Sequence, residues 1–177
     1  MTTFSLPSSA LDSQSQIASH IDDGEKKGPI YAFQGHGFSS HNLGFLLSHE
    51  LDCEVVERVQ TCSLPGTASW LTGMTHLRGK IIPVFDLNKM LFGESTSTSK
   101  CRYLFVDVNN EGFAITIQSM PSRILLTKDQ EIQKVSGIPE LLIPHIKKMY
   151  HKDQIWIDLD YKSFFKQQAE RLRNSFN

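Results

Sequence analysis

From Asn42 to Asp160 the chain alternates short apolar runs with turn-forming residues. The runs are rich in β-branched and aromatic residues and are bounded by Gly, Pro, Asn or Asp, which is typical of strands separated by turns. The pattern therefore predicts a mainly β domain. The predicted strands lie in Leu43–Leu47, Cys53–Val59, Lys80–Leu87, Arg102–Val108, Gly112–Gln118, Arg123–Leu126 and Gln154–Asp160.

Two local features refine the strand pattern. Asn109–Gly112 separates two of the runs and has the residues of a tight turn, so it predicts a β-hairpin. Pro83 lies inside an apolar run, and proline has no N–H for a central ladder. This strand is therefore predicted to be at an edge, bulged or bent, as strands are where a small barrel closes.

Helical patterns occur at two places. Asn88–Gly93 predicts one short helical turn that ends at Gly93. In Tyr161–Phe176 apolar residues recur at near-helical spacing, which predicts an amphipathic C-terminal helix. Its predicted apolar face consists of Phe164, Phe165, Ala169, Leu172 and Phe176.

The remaining segments suggest how the chain is divided. Residues 1–28 have few large apolar side chains and predict a flexible tail, with one short helix around Ala10–Ile21. Residues 29–177 are predicted to form one folded domain. The polar loop Gly93–Lys100 is the predicted boundary between two subdomains that share a core.

Composition excludes several function classes. With 18 Lys and Arg against 19 Asp and Glu, the net charge is −1, so there is no electrostatic footprint for nucleic acid. No apolar run reaches the roughly 18 residues of a membrane span. The N-terminus lacks the pattern of a secretory signal. We therefore expect a cytoplasmic protein that neither binds nucleic acid nor inserts into the membrane.

The search for catalytic chemistry finds no candidate. The seven histidines form no metal-ligand motif, and no residues are assigned to a catalytic site, a metal or a cofactor. Cys53 and Cys62 lie in or beside predicted strands, which favours buried thiols over nucleophiles. Acidic residues such as Glu54 and Asp86 fit the solvent-facing side of strands. A carboxylate pair assembled by folding stays open, and with it an all-β enzyme or small-ligand domain.

The most informative segment is Trp70–Leu87, WLTGMTHLRGKIIPVFDL. Gly73 and Gly79 allow backbone angles that are closed to residues with a Cβ, so each marks a turn. The segment resembles the signature of the CheW-like domain family, with His76 where the family usually has Asn. The matching residues are Gly73, Leu77, Arg78, Gly79, Ile82, Pro83, Val84, Asp86 and Leu87.

The resemblance extends on both sides of this segment. Gly44–Val56 is similar to the family's first hairpin, and Leu64–Gly66 to the proline-bearing turn that follows. Arg102–Ile117 is similar to the hairpin of the second barrel, but Gln118 replaces the family's usual Asp. Features around Pro65–Gly66 and Pro139–Phe165 are most similar to the PilI branch, whose adaptors serve pilus-type chemosensory systems.

The resemblance implies both a fold and a function. The fold would be two small five-stranded SH3-like β-barrels packed together, with a short helix between them and a C-terminal helix. The function would be non-enzymatic: an adaptor, recruited to membrane receptor arrays, that couples the cytoplasmic tip of a methyl-accepting receptor to the regulatory domain of a CheA-class histidine kinase. A pilus-linked pathway is expected, and a flagellar chemotaxis adaptor is the alternative within the family. The expected partner-binding residues are Glu54, Val55, Leu77, Arg78 and Gly79.

Overall fold

The computed structural model describes residues 30–96, 101–108 and 111–174. The predicted tail, residues 1–28, lies outside them, as does Phe176. Within the described residues the chain forms twelve strands, two α-helices and two short 3₁₀ turns. The strands are β1 Tyr31–Ser40, β2 Leu43–Leu47, β3 Asp52–Val56, β4 Thr61–Cys62, β5 Leu71–Leu77, β6 Lys80–Phe85, β7 Arg102–Val108, β8 Glu111–Ile117, β9 Ser122–Thr127, β10 Glu131–Ile132, β11 Ile146–His151 and β12 Ile155–Leu159. The helices are α1 Leu87–Phe92 and α2 Tyr161–Asn174, and the 3₁₀ turns are Lys128–Gln130 and Ile143–His145.

The strands form two sheets of six. The first sheet has the order β10-β11-β12-β2-β1-β9, and the second has the order β3-β7-β8-β6-β5-β4. Each sheet contains one two-residue strand, β10 or β4, and five longer ones. The predicted mainly β fold with a short helix within the domain and a C-terminal helix is confirmed. The SH3-like form of the two expected five-stranded barrels stays a prediction, since each sheet has six strands.

Two sequence-based assignments of strand partners were wrong. Gly44–Val56 is not a hairpin, because β2 pairs with β1 and β12 whereas β3 pairs with β7 of the other sheet. The β7–β8 hairpin forms as expected, but it joins the same sheet as β3 to β6. The chain changes sheets between β2 and β3 and again between β8 and β9.

Three apolar clusters stabilise this arrangement. The largest is a shared core that takes residues from both sheets and from α1 and α2, among them Phe45, Phe85, Ile115 and Phe164. Each sheet also has a small cluster of its own, around Leu46, Leu126 and Trp156 in the first sheet and around Ile82, Val84 and Phe105 in the second. Strand β2 is buried along its whole length because it contributes to the shared core and to the first sheet's own cluster.

Strand β6 shows how the second sheet accommodates Pro83. β6 lies between β5 and β8, so of the three predicted alternatives the edge position was wrong. Its pairing with β5 has an irregular register between Leu71 and Gly73. Pro83 pairs with Met74 of β5, and the parallel pairing with β8 involves Val84 and Phe85 only. β6 therefore begins to pair with β8 only after Pro83, the residue that lacks an N–H.

Helix α2 closes one side of the shared core. Tyr161, Phe164 and Phe165 are buried, and the rings of Phe165 and Phe85 stack with centroids 4.8 Å apart. Helical geometry continues this face to Gln168, which is 1% exposed, whereas Ala169 is exposed. The predicted place of Ala169 on the apolar face was therefore wrong. No described helix combines the length and the apolar character that crossing a bilayer would require.

Candidate protein–protein interface

Three of the five expected contact residues meet at one end of the second sheet. Arg78 lies in the turn between β5 and β6, and its Nη2 is 2.6 Å from Oε2 of Glu54 on β3. Together with Leu77 these residues line a cleft of about 160 Å³. The Arg78 side chain is 68% exposed and that of Glu54 is 43% exposed, so both are accessible to a partner. Sequence reasoning selected the two residues separately and did not foresee that they pair.

The turn that carries Arg78 has an unusual backbone. Leu77 pairs with Lys80, which leaves Arg78 and Gly79 as a two-residue hairpin loop. Their φ angles are 49° and 82°, as a type I′ turn requires. Gly79 adopts this angle freely, but for a residue with a Cβ the left-handed region costs roughly 1–2 kcal/mol. His76, which stands where the family usually has Asn, lies outside this turn, in β5 opposite Ile81.

A second ion pair borders the same cleft. Nζ of Lys80 is 3.0 Å from Oδ2 of Asp107 on β7. The floor between the two pairs is apolar and includes Ile82, Phe105 and Phe113. The cleft thus combines a buried apolar floor with a charged rim, which is the usual anatomy of a recognition surface. Sequence reasoning missed Lys80 and Asp107, because only the pairing of β3 with β7 brings Asp107 to the rim.

Val55 belongs to a different surface from Glu54. Successive residues of β3 point to opposite faces, and Val55 is packed against the shared core. It lines a groove of about 430 Å³ between the two sheets, together with Leu47 from the first sheet and Leu104 from the second. Met120, which is 54% exposed, lies at the same groove. Gln118, the departure from the family pattern, is exposed at the start of the same β8–β9 connection.

The other signature residues hold the second sheet together. A Cβ at Gly73, where φ is 148°, would collide with the backbone of Cys62. Asp86 is 8% exposed and caps α1 by accepting a hydrogen bond from the Lys89 backbone N–H at 3.1 Å. It also accepts hydrogen bonds from the backbone N–H and the hydroxyl of Thr96, at 2.9 and 2.7 Å. The assignment of Asp86 to the solvent-facing side of a strand was wrong, because this carboxylate is a buried cap.

Trp70 packs at the opposite end of the β5–β6 hairpin from the Arg78 turn. Its ring lies 5.9 Å from that of Phe85, and it is half-buried against the shared core. Pro65 and Gly66 form the expected turn before it, with a φ of 74° at Gly66. Trp70 is therefore part of the packing rather than of the exposed turn.

Cys53 and Cys101 are not poised for nucleophilic chemistry, whereas Cys62 is exposed, so the predicted burial of its thiol was wrong. Burial, with a smaller effect from the neighbouring Asp52 carboxylate, raises the pKa of Cys53 to about 11. Burial, with Asp86 nearby, also raises the pKa of Cys101. Both thiols therefore stay protonated at neutral pH, and a protonated thiol is a poor nucleophile. Among residues 30–96, 101–108 and 111–174 no three His, Cys, Asp or Glu side chains are grouped as a metal site would need.

Comparisons with known proteins identify the family and the fold of this chain. The family model described as CheW-like domain matches residues 53–169, from β3 into α2. Protein PilI of Pseudomonas aeruginosa is 23% identical over 129 residues, which are 72% of this chain and 72% of that protein. The crystal structure of the scaffolding protein TtCheW from Thermoanaerobacter tengcongensis superposes with a TM-score of 0.60 at 22% identity, covering 75% of this chain and 92% of that one. At this identity the structural match establishes the fold alone.

Proposed function

The chain belongs to the CheW-like domain family, and from this we propose that it is a non-enzymatic adaptor that couples methyl-accepting receptors to a CheA-class histidine kinase. The observation that carries the proposal is the family match, which includes Glu54 and Arg78 of the cleft and the part of the groove formed by Val55, Leu104 and Met120. The similarity to PilI favours the pilus-linked pathway over the flagellar one. Recruitment to membrane receptor arrays is part of the same proposal.

The two surfaces suit two different partners. We assign the cleft at Glu54, Leu77, Arg78 and Gly79 to the regulatory domain of the kinase, because its exposed charges select a partner by electrostatic complementarity. We assign the groove at Val55 to the receptor tip. Its apolar side chains, including the exposed Met120, suit an amphipathic helical hairpin, and methionine adapts to different helix surfaces. An adaptor with two separate surfaces holds both partners at once and shifts the kinase equilibrium by geometry.

The first test separates the two surfaces by mutation. We expect Arg78→Asp to weaken binding of the kinase regulatory domain about tenfold or more, because it places a second carboxylate beside Glu54. Met120→Asp should weaken binding of a receptor-tip fragment and leave kinase binding unchanged. Titration calorimetry measures both affinities, and Arg173→Asp, at an exposed position on α2, serves as the control.

Two results would contradict the proposal. If purified protein binds neither the kinase domain nor the receptor tip at micromolar concentration, the adaptor function is wrong. If Arg78→Asp lowers the melting temperature by much more than about 4 °C, Arg78 acts mainly on the fold, since an exposed ion pair contributes at most about 1 kcal/mol.

The pathway needs a cellular test. Deletion of the gene should abolish twitching motility and leave swimming unaffected. The reverse result would assign the protein to flagellar chemotaxis instead.

A further inference from the structure

A third concave surface lies on the first sheet, away from the cleft at Arg78 and the groove at Val55. It is a groove of about 530 Å³ between β10 with its following loop on one side and β11 with the preceding 3₁₀ turn on the other. Ile143 projects into solvent there and is 58% exposed. The remaining apolar lining is half-buried and consists of Ile132, Val135, Ile138, Ile146 and Met149.

The rim of this groove is basic. Lys134, Lys147 and Lys148 line it and are exposed. Two carboxylates lie near these lysines. Oε2 of Glu131 is 3.5 Å from Nζ of Lys148. Burial raises the pKa of Asp158, and the nearby Lys147 and Lys148 lower it in part. Three cations against two acids leave a positive excess, so the groove suits an occupant with apolar and acidic side chains.

The N-terminus of the described chain emerges beside this groove. Ile30 is 85% exposed, and the next residue, Tyr31, pairs with Thr127 at the end of β9. The 3₁₀ turn Lys128–Gln130 follows directly and leads to Glu131, where the groove begins. The first 29 residues of the chain are therefore tethered close to the groove, and a short tether gives an effective concentration in the millimolar range.

The sequence of this N-terminal segment is complementary to the groove. Residues 1–29 contain four acidic side chains, Asp12, Asp22, Asp23 and Glu25, against two lysines, Lys26 and Lys27. Leu11, Ile17 and Ile21 provide apolar anchors near the acidic residues. Ile21 and Ile30 are nine positions apart, which span up to about 30 Å when extended and so allow the anchors to reach the groove.

We propose that the groove between β10 and β11 binds the N-terminal segment of the same chain, with Leu11, Ile17 and Ile21 against its apolar lining and the acidic residues at its lysine rim. The segment then covers Ile143 and withholds this surface from other proteins. This inference does not depend on the proposed adaptor function.

The test is amide hydrogen exchange on the full-length protein. In Leu11→Ser/Ile17→Ser/Ile21→Ser we expect residues 131–138 and 143–149 to exchange at least about fivefold faster than in the wild type, because the groove is uncovered. Ser13→Ala/Ser15→Ala/Ser19→Ala is the matched control and should exchange as the wild type does. Strands β7 and β8 serve as an internal reference.

A charge swap tests the same contact from the other side. Lys134→Glu/Lys147→Glu should also raise exchange in the groove, and adding Asp12→Lys/Asp22→Lys/Asp23→Lys should restore protection. Equal exchange in the wild type and the triple-serine variant would overturn the proposal. Protection that disappears on dilution would overturn it as well, because the segment would then occupy the groove of a second copy.

Discussion

At the residue scale, the position of Arg78 combines a backbone cost with an accessible charge. An arginine at a φ of 49° is less favourable than Asn or Gly would be there. Its ion pair with Glu54 is exposed and therefore offsets little of this backbone cost. A surface residue held in an unfavourable backbone conformation supports the proposed role of Arg78 in binding. The strain can be measured separately from the ion pair.

Arg78→Asn and Arg78→Val both remove the ion pair with Glu54 but differ in backbone preference. Asn tolerates the left-handed region, whereas a β-branched residue does not. We expect Arg78→Val to have a free energy of unfolding about 1–2 kcal/mol lower than that of Arg78→Asn, measured by urea denaturation. Equal stability of the two variants would mean that the turn changes conformation without cost.

Cys53 gives the fold a dependence on alkaline pH. Its pKa is raised from 9.0 to about 11 in the folded protein, so folding favours the protonated thiol. This contribution to the free energy of unfolding is fully present below pH 9. It is lost as the pH rises from about 9 through 11, because in this range the thiol ionises in the unfolded chain but not yet in the folded protein. We expect Cys53→Ala to flatten the fall of melting temperature over this range. A slope identical to that of the wild type would show that Cys53 does not titrate as its burial implies.

At the element scale, the six-residue helix α1 depends on the caps at its two ends for its stability. Asp86 caps its N-terminus and ties Thr96 to the helix, while Gly93 ends it in a left-handed conformation. Such a short helix has little stability of its own, so a single buried carboxylate organises the whole connection after β6.

Removal of that carboxylate should therefore be costly. We expect Asp86→Ala to lower the free energy of unfolding by about 3 kcal/mol, since three hydrogen bonds to a buried charged acceptor are lost. Asp107→Ala, which removes a carboxylate from the half-exposed pair with Lys80, should cost no more than about 1 kcal/mol. Thermal or urea denaturation compares the two. Similar losses would mean that the Asp86 hydrogen bonds contribute little.

The elements also show what the sequence could and could not predict. Strand β6 and the turn before it were predictable because Arg78, Gly79 and Pro83 lie in a segment with strong local constraints. Strand β5 was not predicted, and Gly73 lies inside it rather than at a turn. The partners of β2 and β3 were not predictable, because period-two alternation identifies a strand but not its neighbour. The burial of Asp86 was missed because its role as a cap depends on the residue at which the helix begins.

At the scale of the whole molecule, one core joins both sheets. The shared cluster contains Phe45 and Ile157 from the first sheet, Phe85 and Ile115 from the second, and Phe164 from α2. Neither sheet buries its full apolar surface without the other. The adaptor's two proposed binding surfaces are therefore built on a single rigid framework.

This architecture predicts cooperative unfolding. Trp156 lies in the first sheet's own cluster, and Trp70 packs on Phe85 beside the second sheet. We expect Trp70→Phe and Trp156→Phe, each of which leaves one tryptophan, to report single urea transitions whose midpoints equal those given by circular dichroism for the same variant. A fluorescence midpoint in either variant that departs from its circular dichroism midpoint would show that the sheets unfold separately.

The parallel pairing of β2 with β12 has a consequence for how the chain reaches this structure. Ile155 lies opposite Leu43 although 112 residues separate them along the chain. The second sheet, in contrast, uses one continuous stretch from β3 to β8. During synthesis that sheet can assemble as soon as β8 has left the ribosome, while β2 can complete its pairing only once β12 is available. The closing of this long loop carries the larger entropic cost, so it is expected to set the folding rate.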